Sequence, residues 1–173
     1  LFAITALLSM GIKETKRVNN IMVVIKLAVV VLFIVVGVGY VEPTNWAPFT
    51  PFGWGGVFSG AAIVFFAYIG FDAVTSAAEE VRDPQKNLPR GIIGSLAVCT
   101  ILYVIVAAIM TGIVPYQKFA GVDHPVSLAI QMAGQNWVAG FIDLGAILGI
   151  TTLILVMTYG MVRLAFAISR DGM

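Results

Sequence analysis

The chain has 173 residues, 60% of them apolar and 11% charged, against roughly 25% charged in an ordinary soluble domain. The apolar residues come in unbroken runs of about 20 or more, the length that crosses a bilayer, rather than at the spacing of a half-buried helix or strand. A formal charge of +1 with no basic face excludes nucleic acid as a partner, and a single cysteine, Cys99, excludes an internal disulfide.

In chain order, residues 1–12 are apolar but too short to span alone, and read as the end of a helix closed by the turn Lys13-Glu14-Thr15-Lys16-Arg17. Residues 18–41 form the first full span, about 36 Å if wholly helical. Three prolines (Pro43, Pro48, Pro51) and two tryptophans (Trp46, Trp54) follow, which suits a loop settled among headgroups. The second span covers 57–80 and ends on Glu79-Glu80 before the polar turn at 82–87. Asn87 as a cap, with Pro89 in the first helical turn, opens the third span at 88–114, ahead of Pro115. Residues 126–168 are too many for one crossing and divide near Gly134-Gln135-Asn136 into a short outer helix and a fourth span.

The fold class is therefore an all-α membrane protein, with about four full transmembrane helices plus the end of a preceding one, in a single transmembrane unit over 1–173. Leu1 falls inside an apolar stretch, and the basic residues follow that stretch instead of preceding it, the reverse of a signal peptide. Both ends read as cut, so further helices of the same polypeptide are expected as partners, together with the lipid bilayer.

Orientation follows from lysine and arginine. With loops alternating, Lys13, Lys16, Arg17, Arg82, Lys86, Arg90, Arg163 and Arg170 fall on one side, eight of the ten basic residues, and Lys118 on the other. The positive-inside rule makes the first side cytoplasmic, in a multi-pass protein of the plasma (inner) membrane. Gly56 to Gly60 and Gly145 to Gly149 have the spacing that permits close helix packing.

An ionisable group inside a bilayer costs on the order of 2.5 to 3.5 kcal/mol on insertion scales, so each needs a reason. Lys26 lies nine residues beyond Arg17, roughly 13 Å along the helix, and Asp72 ten residues before Arg82, roughly 15 Å, which puts the two at similar depths. For Lys26 the competing explanation is a stem that snorkels to the interface, and for Asp72 a local polar pairing. Asp143 sits near the outer end of its span and reads as interfacial. The stretch Phe65-Phe66-Ala67-Tyr68-Ile69-Gly70-Phe71-Asp72-Ala73 places a glycine and an aspartate in mid-membrane. A discontinuous helix there would expose carbonyls and amides to the charged ends of a small zwitterion, and a continuous helix with a glycine packing contact is the alternative. Thr151 and Thr152 offer hydroxyls at depth, unless they merely bond back to their own helix. The only histidine, His124, falls in an outer loop, and no metal-ligand spacing or phosphate loop is present. No enzyme activity and no cofactor are expected.

The run Phe66-Ala67-Tyr68-Ile69-Gly70-Phe71-Asp72-Ala73, followed by Glu79-Glu80-Val81-Arg82-Asp83-Pro84-Gln85-Lys86-Asn87-Leu88-Pro89, resembles the sixth helix and following loop of the cationic amino acid transporter family. That family belongs to the amino acid, polyamine and organocation superfamily of permeases. Asp83 departs from the usual asparagine before the proline, a change expected to be neutral. Arg17-Val18-Asn19-Asn20 and Ser169-Arg170-Asp171-Gly172 also look like family signatures. The resemblance covers essentially the whole chain and implies the inverted five-helix repeats of the leucine transporter, here from the end of helix four through helix eight. It further implies that carbonyls around Phe66, Ala67 and Ile69, at a break near Ile69-Gly70, receive the substrate ammonium, with the Phe66 ring as a lid. Lys26 matches the lysine that replaces a sodium ion in bacterial proton-coupled relatives, and Thr151 and Thr152 match the facing side of that site.

The function expected is secondary active transport of an L-amino acid by alternating access, as a proton-coupled symporter. An exchanger without proton coupling is the alternative, and a channel or structural subunit is a third reading from a different class. Both cationic and small neutral amino acids remain as substrates at this point.

Overall fold

The computed structural model describes residues 12–70, 81 and 83–170. Among these residues the chain is helical, with no strand. The first helix, α1, runs Ile12–Gly37 and continues as a 3-10 turn over Val38–Tyr40. Residues 13–17, expected as a turn, lie inside α1. Lysine, glutamate and arginine are good helix formers, and no proline occurs before Pro43, so nothing in the sequence stops the helix there.

A 3-10 turn at Pro43–Trp46 precedes α2, Gly53–Val64. The α2 axis then tightens into a 3-10 segment, Phe65–Tyr68. Helix α3, Pro84–Ile113, starts four residues before the expected 88. Pro84 occupies its first turn, Asp83 turns left-handed at φ 48°, and the Asp83 carbonyl accepts the Lys86 and Asn87 amides at 3.0 Å each. Asn and Asp are the non-glycine residues that most often enter that region, which gives the Asn-to-Asp departure at 83 a conformational basis for neutrality. Pro89 sits inside α3, where it forfeits one intrahelical bond.

The short α4, Pro125–Met132, ends at Gly134, whose φ of +81° lets the Gln135 amide turn back to the Ile130 carbonyl at 3.1 Å. Helix α5, Asn136–Arg170, follows. At 35 residues it is about 52 Å long, well beyond a bilayer core of about 30 Å. Among the described residues three helices are long and apolar enough to cross a membrane, within Arg17–Tyr40, Pro84–Ile113 and Asn136–Arg170; the apolar stretch Gly53–Tyr68 is shorter.

Phe33 of α1, Ile109 of α3, Ile130 of α4 and Val138, Ala139 and Ile142 of α5 form the buried core. It gathers where the short α4 wedges between the longer helices. Trp46, expected among headgroups, also ties this loop to the end of α3: its indole donates to the Ala108 carbonyl at 3.1 Å. The Gly112 carbonyl accepts both the Asn45 side-chain amide at 2.7 Å and the Glu42 backbone amide at 3.0 Å. The helix end thus finds donors that lipid could not supply.

Of the two glycine pairs, only Gly145 makes a close interhelix approach. A Cβ there would stand 2.7 Å from Cγ1 and 3.0 Å from Cβ of Val29, whereas Gly60 and Gly149 face open space. Val29 is β-branched and cannot swing away cheaply. Gly145→Ala should lower the thermal midpoint of the detergent-solubilised full-length protein by several degrees, since overpacking costs about 1–3 kcal/mol. Adding Val29→Ala should recover most of that loss. A double variant no more stable than Gly145→Ala would refute the close packing of α1 on α5.

Candidate functional site

Lys26 and Thr152 meet across the α1–α5 contact. Thr152 is 3% exposed, and its hydroxyl donates to the Gly149 carbonyl one turn back at 2.8 Å. Its oxygen lone pairs stay available, and the Lys26 ammonium points at that oxygen from 3.4 Å. This exceeds the usual 2.7–3.2 Å for an N–H···O bond. The contact is a loose one, and no carboxylate pairs with Lys26 among the described residues. Thr151, the adjacent residue, gives its hydroxyl to the Ile147 carbonyl at 2.8 Å and does not line the cavity that Thr152 faces.

That cavity, about 650 Å³, brings together Lys26, Thr152, Phe66, Ala67, Ile69 and Gly70. The helical path ends at this point of the backbone. The Ile69 amide bonds to the Phe66 carbonyl at 3.3 Å, Ile69 itself is extended at ψ 134°, and Gly70 takes φ +113°. Only glycine enters that part of the map without strain. An end of helical geometry beside a cavity is a place where backbone carbonyls can accept hydrogen bonds from a ligand. Phe66 is 70% exposed, its ring edge-on to Phe65 at 6.4 Å. Asp72, the remaining candidate, lies outside the described residues.

A family model described as amino acid permease matches residues 1–173. The chain belongs to the amino acid permease family. A branched-chain amino acid permease of Bacillus subtilis (strain 168) is 68% identical over 171 residues, covering 99% of this chain and 37% of that protein. A methylthioribose transporter of the same organism is 57% identical over 170 residues, covering 98% of this chain and 37% of that protein. The chloroplastic cationic amino acid transporter 9 of Arabidopsis thaliana is 41% identical over 170 residues, 98% of this chain and 30% of that protein. These relatives are permeases and transporters, not enzymes. The chain spans little more than a third of the length of the first two.

In this permease two further polar groups face the cavity. Asn19, noticed above only as part of a signature, has its Oδ1 buried with no hydrogen-bond partner among the described residues, and Tyr103 reaches in from α3. A helical-register argument could have found Asn19, which sits seven residues and two turns before Lys26 on the same face. Nothing in the sequence distinguishes Tyr103 from an aromatic that faces lipid. Among the described residues no group of three His, Cys, Asp or Glu stands where it could hold a metal ion.

Proposed function

We propose that the protein of which this chain forms part is a secondary carrier in the plasma membrane, taking L-amino acids across by alternating access and coupling the movement to protons at Lys26. The observation that carries the reading is one cavity lined by both the broken segment at 66–70 and the Lys26–Thr152 contact. A substrate ammonium at the segment after α2 and a proton on Lys26, at the α1–α5 contact, would then act within the same cavity, with the rest of the polypeptide completing the enclosure. Coupling requires that proton and substrate each bind one state better than the other.

Within this reading the substrate is a neutral aliphatic amino acid. The described lining of the cavity contains no carboxylate, and its one charged side chain is Lys26. A cationic side chain would meet a like charge there, in a setting where charges are weakly screened. Valine, leucine and isoleucine suit the apolar remainder, including Leu153, Val156 and Met157. The 68% identity to a branched-chain amino acid permease supports the same choice.

Counterflow in liposomes carrying the full-length protein tests this. Vesicles loaded with leucine should take up external labelled leucine faster than empty ones, with valine and isoleucine competing and lysine and arginine not. Uptake without trans-stimulation would indicate a channel. Competition by lysine but not by valine would overturn the neutral substrate, and competition by methylthioribose alone would overturn amino acids altogether. Exchange that proceeds while a pH gradient drives no accumulation would favour the exchanger.

A further inference from the structure

The segment Phe65–Tyr68 is held to α3 by two phenols. The Tyr103 hydroxyl lies 3.5 Å from the Ala67 carbonyl oxygen, and the Tyr103 ring meets Tyr68 edge-on at 5.6 Å and 73°. The Tyr68 hydroxyl is 3.1 Å from Thr100 Oγ1. Thr100 spends its own proton on the Leu96 carbonyl at 2.8 Å, so Tyr68 must be the donor in that pair. Thr100 and Tyr103 are three residues apart and share a face of α3. One arm therefore reaches from α3 to the broken segment and the other reaches back.

A carbonyl oxygen has two acceptor sites. The Tyr103 phenol, arriving from α3, approaches one at Ala67 from 3.5 Å, as loosely as Lys26 approaches Thr152. Among the described residues no backbone amide outside the helices takes the other, and Ala67 and Tyr103 both line the cavity. Ala67 lies in the last turn of the 3-10 segment, two residues before the extended Ile69 and three before Gly70, where the helical path ends.

We propose that Tyr103 is a positioning residue for the substrate ammonium: its hydroxyl fixes the Ala67 peptide so that the carbonyl's free acceptor site faces the cavity. The proposal rests on the reading above, in which the break receives the ammonium. It predicts that Tyr103 matters most to the part of the ligand that is charged, because a charge-assisted hydrogen bond is stronger and more demanding of geometry than a neutral one. The side chain of the substrate is indifferent to it.

The test uses the full-length protein in liposomes, with leucine and its α-hydroxy analogue competing for leucine counterflow. Tyr103→Phe keeps the ring against Tyr68 and removes the hydroxyl alone. The expected result is a loss of leucine affinity of a few-fold to about tenfold, a smaller loss for the hydroxy analogue, and an effect on KM rather than on maximal rate. The preference for amine over hydroxyl narrows. Equal losses for both ligands, or none for either, would assign Tyr103 to packing and overturn the proposal. If the unaltered protein shows no preference for the amine, the reading beneath falls and takes the proposal with it. Where Tyr103→Phe yields no folded protein by gel filtration, Thr100→Val releases Tyr68 from α3 and should narrow the same preference less strongly; an unchanged preference there counts against the proposal.

Discussion

Lys26→Met in the full-length protein should abolish accumulation of substrate driven by a pH gradient while substrate binding persists. One pH unit stores about 1.4 kcal/mol per proton, enough for about tenfold accumulation of a substrate moved one for one. The variant should bring the inside-to-outside ratio to about one, because a side chain that takes no proton has no differential affinity through which the gradient can act. Methionine keeps the length and apolar bulk of the stem, so α1 stays packed on α5 through Phe33, Val29 and Gly145. Thr152 keeps its bond to Gly149 and leaves no unsatisfied donor. Binding survives in part because the ammonium points at Thr152 rather than at the carbonyls of 66–70. Retained accumulation would make Lys26 a snorkelling residue and move the coupling to another group.

Gly70→Ala should reduce uptake by roughly five- to a hundredfold with the protein still folded, the range set by about 1–3 kcal/mol for a non-glycine residue in a sparsely populated backbone region. Two causes are separable here. At Gly70 a Cβ would stand 3.4 Å from Met157 Cε, an ordinary contact with a flexible side chain, while φ is +113°. The backbone is therefore the obstacle, and adding Met157→Ala should not restore uptake. Recovery in that double variant would show that crowding, not the break, makes glycine necessary. Uptake unchanged in Gly70→Ala would show that the break is not needed in the transport cycle.

How much of this was legible before the structure depends on what each residue costs. Lys26 and Gly70 stand out in the sequence because a charge and a helix breaker are expensive in an apolar run, and the structure brings both to one cavity. Thr152 and Thr151 could not be separated. They differ by about 100° around the helix axis, and when every face of a helix is apolar no pattern reveals which face looks inward. Tyr103 was hidden for the same reason, since an aromatic in a lipid-exposed span and one beside a cavity read alike. Asn19 was visible as a residue but not as an orphaned acceptor, which only burial shows. The helical state of residues 13–17 and the start of α3 at Pro84 are not apparent in the sequence because charged residues suggest a loop. Helices of a membrane protein continue into water, where lysine, arginine and glutamate are good helix formers.

The bonds from Glu42, Asn45 and Trp46 to the end of α3 bear on how these helices can move. They fasten the C-terminal ends of α1 and α3 to each other, and a bond lost from the Gly112 carbonyl costs most where no water replaces it. Any change of angle between the two helices is then a lever with its fulcrum at Gly112. Tyr103 lies nine residues along that lever, about 14 Å away. A swing of a few degrees at the fulcrum carries it by about an ångström relative to α1, comparable to the difference between a hydrogen bond and none. A small rotation at the Gly112 end is thereby felt at the level of Tyr103, beside the cavity that Lys26 and Gly70 also line.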